Sequence, residues 1–358
     1  MWPYWLMFLL PTLVALNVRE IKTNTATSFS SDGVNWEWVS AGLVMTLLVG
    51  YRFEVGGDWF NYLPMLDNIS GLSLIDVLKE SDPGYQLLNW VSVEMHWGIF
   101  GVNLIGGGIF SIGLAVFCIN QPRPWLALAV AVPYVVIVMG MGYSRQGIAL
   151  GLVMLGLVAL SRQSTLWFAV SVVLGATVHK SAVLLLPIAA LASTRHRWWT
   201  VVWITIIGLG AYRLLLEEST ENLYKNYVEA EYQSSGALIR LLMNAVPAII
   251  LLVWRRKLRF IQAEASLWLW FAILSLVLLG VLFVSPSSTA VDRVALYLLP
   301  LQLVVFAHFP DMLGNKFEKV LVVAVLLYYA TVQFVWLNYA DNASSWIPYR
   351  FYPLEAWF

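Results

Sequence analysis

Residues 166–193 read LWFAVSVVLGATVHKSAVLLLPIAALAS, and whether this stretch crosses or turns decides the layout of everything after it. As one helix it would carry His179 and Lys180 at mid-membrane and run roughly 42 Å, well past the ~30 Å of hydrocarbon in a bilayer. It would also invert the rest of the chain and put the basic run RRKLR at 255–259 on the outer side. A hairpin turning at His179 avoids both consequences and is the reading adopted.

The surrounding sequence is as greasy as this segment. The 358 residues are 60% hydrophobic and 12% charged, with no net formal charge, and the mean hydropathy is +0.74. Soluble domains run near half apolar and about a quarter charged, so this is expected to be an all-α, polytopic integral membrane protein. Apolar segments and short connections use up nearly the whole chain. The expectation is one transmembrane domain over 1–358, with outer loops at about 52–96 and 214–236 and an extracytoplasmic tail at about 339–358. Candidate spans fall near 1–17, 38–51, 97–119, 125–142, 146–161, 166–178, 181–193, 198–213, 237–254, 265–285, 291–309 and 318–338, about twelve in all. The first, MWPYWLMFLLPTLVALNV, lacks a basic leader and a small-residue cleavage site, so it reads as a retained helix. Cys118, the one cysteine, lies inside an apolar run and excludes an internal disulfide or a thiolate cluster.

Orientation follows from Lys and Arg. One set of alternate connections holds Arg19, Lys22, Arg123, Arg162, Arg195, Arg197, Arg255, Arg256, Lys257, Arg259, Lys316 and Lys319, and the opposite set is richer in acids. The first set is read as cytoplasmic, which places both termini outside. Depth follows as well. Arg145 to Ser161 is roughly 25 Å of helix and Leu166 to His179 roughly 21 Å, so Arg145 and His179 are sunk below the outer surface and face a recessed cavity.

Other polar groups gather on the same side. MGYSRQGIAL at 141–150 isolates Arg145 between Arg123 and Arg162. Asp58 with Tyr62, Tyr85 with Asn89, and Arg293 with Tyr297 are each four apart and share a helix face. Ser144 and Gln146 flank Arg145, Lys180 and Ser181 follow His179, and Asp292 precedes Arg293. Asp82, before Pro83, reads as a helix cap. Taken singly, each has a plainer reading. Arg145 could be a snorkelling anchor, Asp292 a local charge partner, Asp58 a turn cap, His179 a satisfied turn residue, and Trp59, Tyr62 and Tyr85 part of an aromatic belt. The acid-rich 217–231 reads as a solvated outer helix. Anchors and belts do not require all of these on one side, and that favours a site. No HExxH, DxD or His/Cys/carboxylate grouping at ligand spacing occurs, so no metal or cofactor is expected.

The order Arg52, VGGDWFNY, PGYQLLN, RQGIA, HKSAVLLLP and DRVALY resembles the motif succession of the EpsG-like branch of bacterial polysaccharide polymerases, similar in role to O-antigen (Wzy-type) polymerases. It spans residues 52 to about 300. The resemblance implies a GT-C-like membrane glycosyltransferase in the bacterial inner (cell) membrane with its site facing the periplasm or exterior. There it would transfer a glycan from polyprenyl (undecaprenyl) diphosphate to a sugar hydroxyl of another lipid-linked unit. It implies an active region containing Arg52, Asp58, Tyr62, Tyr85, Asn89, Arg145, Gln146, His179, Asp292, Arg293 and Tyr297. A chain-length regulator and a flippase of the same pathway are implied as partners, membrane lipid surrounds the chain, and no nucleic acid is expected.

The residues suit that chemistry independently. Arginine offers bidentate, charge-assisted hydrogen bonds to phosphate. Arg145 and Arg293 are the first choices, with Arg52 and Lys180 behind them. His179 or Asp58 would take the acceptor's proton, His179 being favoured because it sits beside Arg145. Trp59, Tyr62, Tyr85 and Asn89 would stack on or hydrogen-bond to sugars. The alternatives are a transporter or flippase of lipid-linked oligosaccharide, or another membrane glycosyl- or acyltransferase. A transporter would show internal repeats and midplane binding residues, and neither is visible. An acyltransferase would use an intramembrane histidine facing a cytoplasmic donor, whereas His179 faces outward.

Overall fold

The computed structural model describes residues 1–17, 35–192, 197–211, 213, 234, 236–258, 260, 262–314 and 316–355. Arg19, Lys22, Arg195, Arg259 and the acid-rich 217–231 lie outside the described residues. Within them the chain is helical, and the only extended pairing is an isolated antiparallel bridge between Arg52 and Phe351.

The helices run α1 (Trp2–Asn17), α2 (Trp36–Gly50), α3 (Trp59–Ile69), α4 (Leu74–Val77), α5 (Pro83–Glu94), α6 (Gly98–Ile119) and α7 (Pro124–Ala131). The last of these continues as a π-helix over Val132–Gly140. Then come α8 (Ser144–Ser161), α9 (Thr165–Val178), α10 (Leu186–Ala192), α11 (Arg197–Ala211), α12 (Ala237–Trp254), α13 (Gln262–Leu282), α14 (Ser288–Ala295), α15 (Pro300–His308), α16 (Glu318–Tyr339) and α17 (Tyr352–Glu355).

All twelve apolar runs are helical, which makes this a helical membrane protein, but they are not equally long. Among the described residues five helices have the length and hydropathy to cross a bilayer: α6, α8, α12, the Glu264–Leu282 part of α13, and α16. A sixth is the pair Ser288–Leu298 and Pro300–Asp311, bent by 42° where Pro300 offers no N–H to continue the ladder. The other six apolar helices have only 10–17 residues, or at most about 26 Å. Twelve full crossings is therefore more than helix length supports. Proline, glycine and polar residues at the helix ends cut the apolar runs short.

The stretch at 166–193 does turn. His179 ends α9 in an extended conformation, φ −150° and ψ 109°, and a 3-10 turn over Lys180–Leu185 follows. That turn and α10 pack back against α9, while α10 also meets α11 and α13.

At the centre, α7 and its π-helical continuation are buried along their whole length. They are surrounded by α1, α6, α8, α15 and α16. The wider π winding over Val132–Gly140 is a feature often found next to functional sites, and here it feeds directly into Tyr143, Ser144 and Arg145. Beside it α6 and α8 meet backbone to backbone. A methyl group on Gly113 would come within 2.1 Å of the Gly151 carbonyl oxygen, so only glycine permits this approach.

The expected outer loop 52–96 is itself structured, since α3, α4 and α5 pack on one another and against α6 and α9. The expected tail is structured too. Residues 340–355 return to the loop that opens the first motif: Gly56 donates to Ser345 O at 2.8 Å, Phe53 to Arg350 O at 3.0 Å, and Tyr352 to Tyr51 O at 2.8 Å. Trp346, 1% exposed, donates from Nε1 to Ile137 O at 2.8 Å and accepts at its carbonyl from Tyr4 Oη at 2.6 Å. Its ring fills the space beside Gly142, where any Cβ would sit 2.1 Å from it.

Candidate active site

Arg145 is the second residue of α8. Its side chain is 29% exposed, and Nη1 donates to Asp82 Oδ2 at 2.8 Å. It lies over the rings of Tyr62 and Tyr85, 5.9 and 6.0 Å from their centroids, while the two rings tilt together at 5.6 Å. Both phenols are buried, so the cation sits against an aromatic wall, where desolvation strengthens cation–π attraction.

Asp58 stands at the head of α3. Tyr62 donates to Oδ2 at 3.4 Å and Asn61 to Oδ1 at 3.3 Å, as the four-residue spacing of Asp58 and Tyr62 implied. Burial pushes its carboxyl above the usual aspartate range, and the nearby charges of Arg293 and Arg145 partly oppose this. The same two arginines lie within electrostatic reach of His179, whose backbone N–H caps α9 on Gly175 O at 2.9 Å. His179 is half-buried, and its Nε2 is shut from solvent with no hydrogen-bond partner.

On the opposite wall, Gln146 donates to the backbone oxygen of Arg293 at 2.7 Å, which ties the first turn of α8 to α14. Tyr297, buried, accepts from Ser181 Oγ at 3.4 Å. Lys180 lies alongside Asp82. Asn89, with no exposed surface, donates to Gln86 Oε1 at 2.8 Å. Asp58, Tyr62, Tyr85, Asn89, Arg145, His179, Lys180 and Arg293 are thus brought to one place. The half-buried Asp58, Arg145, His179, Lys180 and Arg293 stand in front of buried Tyr62, Tyr85 and Asn89.

Three expected ligand-binding residues, Arg52, Trp59 and Asp292, are engaged by contacts within the protein. Arg52 is 1% exposed, and its donors are taken by Val49 O at 2.5 Å, Val55 O at 3.1 Å, Asn103 Oδ1 at 3.1 Å and Ser144 Oγ at 2.6 Å. It fastens the end of α2 and the 51–58 loop to α6 and to the start of α8. Trp59 is 3% exposed and packs on Phe53, Phe100 and the Arg52 guanidinium, so its ring faces are covered. Asp292 is not a partner for its neighbour Arg293. Both of its oxygens are held by Arg240, at 2.6 Å from Nε and 2.7 Å from Nη2, and Ser234 adds a third bond at 3.0 Å. With Gln146 on one side and Arg240 on the other, α14 is clamped and Arg293 is set in place.

Asp82, Arg240 and the 340–355 segment were not foreseen as parts of the site. Charge balance could have found two of them. Arg145 and Arg240 are single cations in apolar surroundings, and in a low dielectric each needs an acid from another segment. Nothing in the sequence of 340–355 signals its return to the first loop. Among the described residues no group of three or more His, Cys, Asp or Glu side chains is arranged to hold a metal ion.

No curated protein and no solved structure matches the chain. The model of the EpsG family matches residues 35–351, a range that takes in every part of the cluster just described and also the returning segment through Phe351. The chain is therefore a helical membrane protein that belongs to the EpsG family.

Proposed function

We propose that the chain is a polysaccharide polymerase, a membrane glycosyltransferase that transfers a polyprenyl-diphosphate-linked glycan to a sugar hydroxyl of another lipid-linked repeat unit on the extracytoplasmic face. The observation that carries this reading is that two arginines from different helices, Arg145 and Arg293, lie within electrostatic reach of the same carboxylate, Asp58, and the same imidazole, His179. In the reaction the bond from the anomeric carbon to the diphosphate oxygen breaks, and its electron pair leaves with the diphosphate. The acceptor oxygen bonds to that carbon and gives up its proton. Arg145 and Arg293 stabilise the departing charge, the role that fixed donors perform best in a water-poor site. Asp58 or His179 receives the proton, and Tyr62, Tyr85 and Asn89 meet the sugars. Arg52, Trp59, Gln146, Asp292 and Tyr297 hold these groups in position.

In this reading the twelve apolar helices form a GT-C-like bundle in the bacterial inner membrane with both termini outside. The six short helices are accommodated by local thinning of the bilayer, as hydrophobic mismatch allows. A flippase supplies the units, and a chain-length regulator acts on the product.

The test is a host lacking its own polymerase and supplied with lipid-linked units. Wild-type protein should give a glycan ladder, and Arg145→Ala or Arg145→Lys, made at normal levels, should collapse it to single units. An unchanged ladder with Arg145→Ala removes that residue from the mechanism. Units accumulating on the cytoplasmic face would favour a flippase. Reporter fusions after Arg197 and Arg259 test the topology, and both should read cytoplasmic.

A further inference from the structure

The acid that answers Arg145 is Asp82, and its position at the head of α5 does not account for it. The residue stands where a helix cap belongs, yet its side chain caps nothing. Its backbone lies at φ 57° and ψ 59°, the left-handed region that a residue with a Cβ adopts at a steric cost. Such local strain is found preferentially where a side chain has a task. The side chain is 7% exposed, and Oδ2 is bonded to Arg145; the Lys180 backbone N–H lies near the carboxylate, yet the buried Oδ1 completes no hydrogen bond. Tyr85 Oη and Asn89 Oδ1, on the next turns of α5, are in the same condition. So are Arg145 Nε and His179 Nε2 beside them. Of the eleven buried side-chain polar atoms without partners among the described residues, five belong to this one wall. Buried polar atoms are otherwise nearly always satisfied.

The chemistry of these atoms selects a ligand. Asp82 Oδ1 and Asn89 Oδ1 accept hydrogen bonds and cannot donate them, so what meets them must bring protons. A phosphate brings none, and Asp82 repels it. An apolar chain would leave all five atoms unsatisfied. A polyol supplies donors and acceptors together at hydrogen-bond spacing. We propose that Asp82, Tyr85 and Asn89 form a subsite for sugar hydroxyls beside Arg145, with Asp82 as its principal acceptor. Arg145 then faces two ways, toward the carboxylate that grips the sugar and toward the phosphate attached to it. The sugar's identity as part of a lipid-linked unit rests on the polymerase reading, whereas the hydroxyl chemistry does not.

The experiment uses the purified full-length protein in detergent and two probes. One is the reducing oligosaccharide released by mild acid from the host's lipid-linked units, and the other is farnesyl diphosphate. Asp82→Asn, which keeps the side-chain shape, should weaken oligosaccharide binding roughly 10- to 100-fold, the range for a hydrogen bond to a charged group, and leave farnesyl diphosphate within about twofold. Tyr85→Phe, which removes one hydroxyl without altering the packing, should weaken the oligosaccharide alone and provides a second test if Asp82→Asn does not fold. Unchanged oligosaccharide affinity in a folded Asp82→Asn or Tyr85→Phe protein overturns the subsite. Equal loss of both probes in Asp82→Asn also overturns it, because Asp82 would then only position Arg145. Selective loss of the oligosaccharide in a protein that builds no glycan ladder keeps the subsite and sinks the polymerase reading. A ladder-building wild type that binds no oligosaccharide sinks the subsite alone.

Discussion

Arg123 and Arg145 stand just outside the two ends of one buried helical stretch, Pro124–Gly140, and their surroundings are opposite in kind. Arg123 meets Asp311 with two nitrogens, at 2.8 and 2.7 Å, Glu318 at 3.2 Å and the Ala307 carbonyl at 3.2 Å. It borders a cavity of about 370 Å³ between α1, α7 and α16, but its own donors are turned to protein acceptors. Arg145 has one acid, two ring faces and a buried Nε without a partner, in a neighbourhood of further unpartnered atoms. A buried polar network that is complete within the protein fixes a structure. One left incomplete lowers stability and is retained where a ligand completes it. Arg145 is also the more exposed of the two, 29% against 8% for Arg123, but it is their hydrogen bonds that distinguish a finished network from an open one.

Arg123→Ala and Arg145→Ala should therefore fail in different ways. Arg123→Ala strips the buried Glu318 and the half-buried Asp311 of their shared cation and should cost up to about 3–5 kcal/mol of stability, read as a large drop in unfolding temperature in detergent. Arg145→Ala should lower the polymerisation rate about 10²–10³-fold; because it strips only one acid, Asp82, of its cation, its unfolding temperature should fall less than that of Arg123→Ala. If the two variants behave alike, the contrast is false. Trp346→Ala comes next. Removing a buried tryptophan typically costs about 3–5 kcal/mol, and activity should fall beyond what the folded fraction explains, because the loop bearing Asp58 loses its support from residues 340–355. Arg240→Met should reduce activity more mildly through Arg293. Arg240→Lys, which keeps a cation beside Asp292, should retain part of the activity.

The smallest effect on stability belongs to Asp58. Burial raises its carboxyl above the usual value, so the folded protein holds that proton more firmly than the unfolded chain. Between the ordinary aspartate range and the raised one, stability declines as pH rises and is regained as pH falls. Asp58→Asn removes this cost. Its unfolding temperature at neutral pH should equal or slightly exceed wild type while polymer formation is lost if Asp58 is the base. A melting temperature well below wild type would show that Asp58 stabilises the fold instead.

The membrane class, the helical runs and the pairing of Asp58 with Tyr62 were legible in the sequence because each rests on local chemistry. Apolar length marks a helix, and residues four apart share a face. The turn at His179 was legible for the same reason, since no single helix fits that length. What was not legible depends on distant pairing. Arg52 and Asp292 look like Arg145 and Asp58 in sequence, and only the acceptors around Arg52 and the arrival of Arg240 show that they are bound up in the framework. Asp82 was read through its neighbour Pro83 as a cap, and the cap is not made. The length of each helix was not legible, because a hydropathy run does not reveal where π winding, a 3-10 turn or Pro300 shortens or bends the helix within it.

The bridge between Arg52 and Phe351 has a consequence for biogenesis. The loop that presents Asp58 is synthesised long before its hydrogen-bonding partners at 340–355. Helices can insert one after another as the ribosome proceeds, but this loop cannot acquire its final shape until residues 340–355 have emerged. Truncated fusions should thus report sidedness faithfully while being catalytically silent, and activity becomes a measure of whether translation has reached the segment that closes the site.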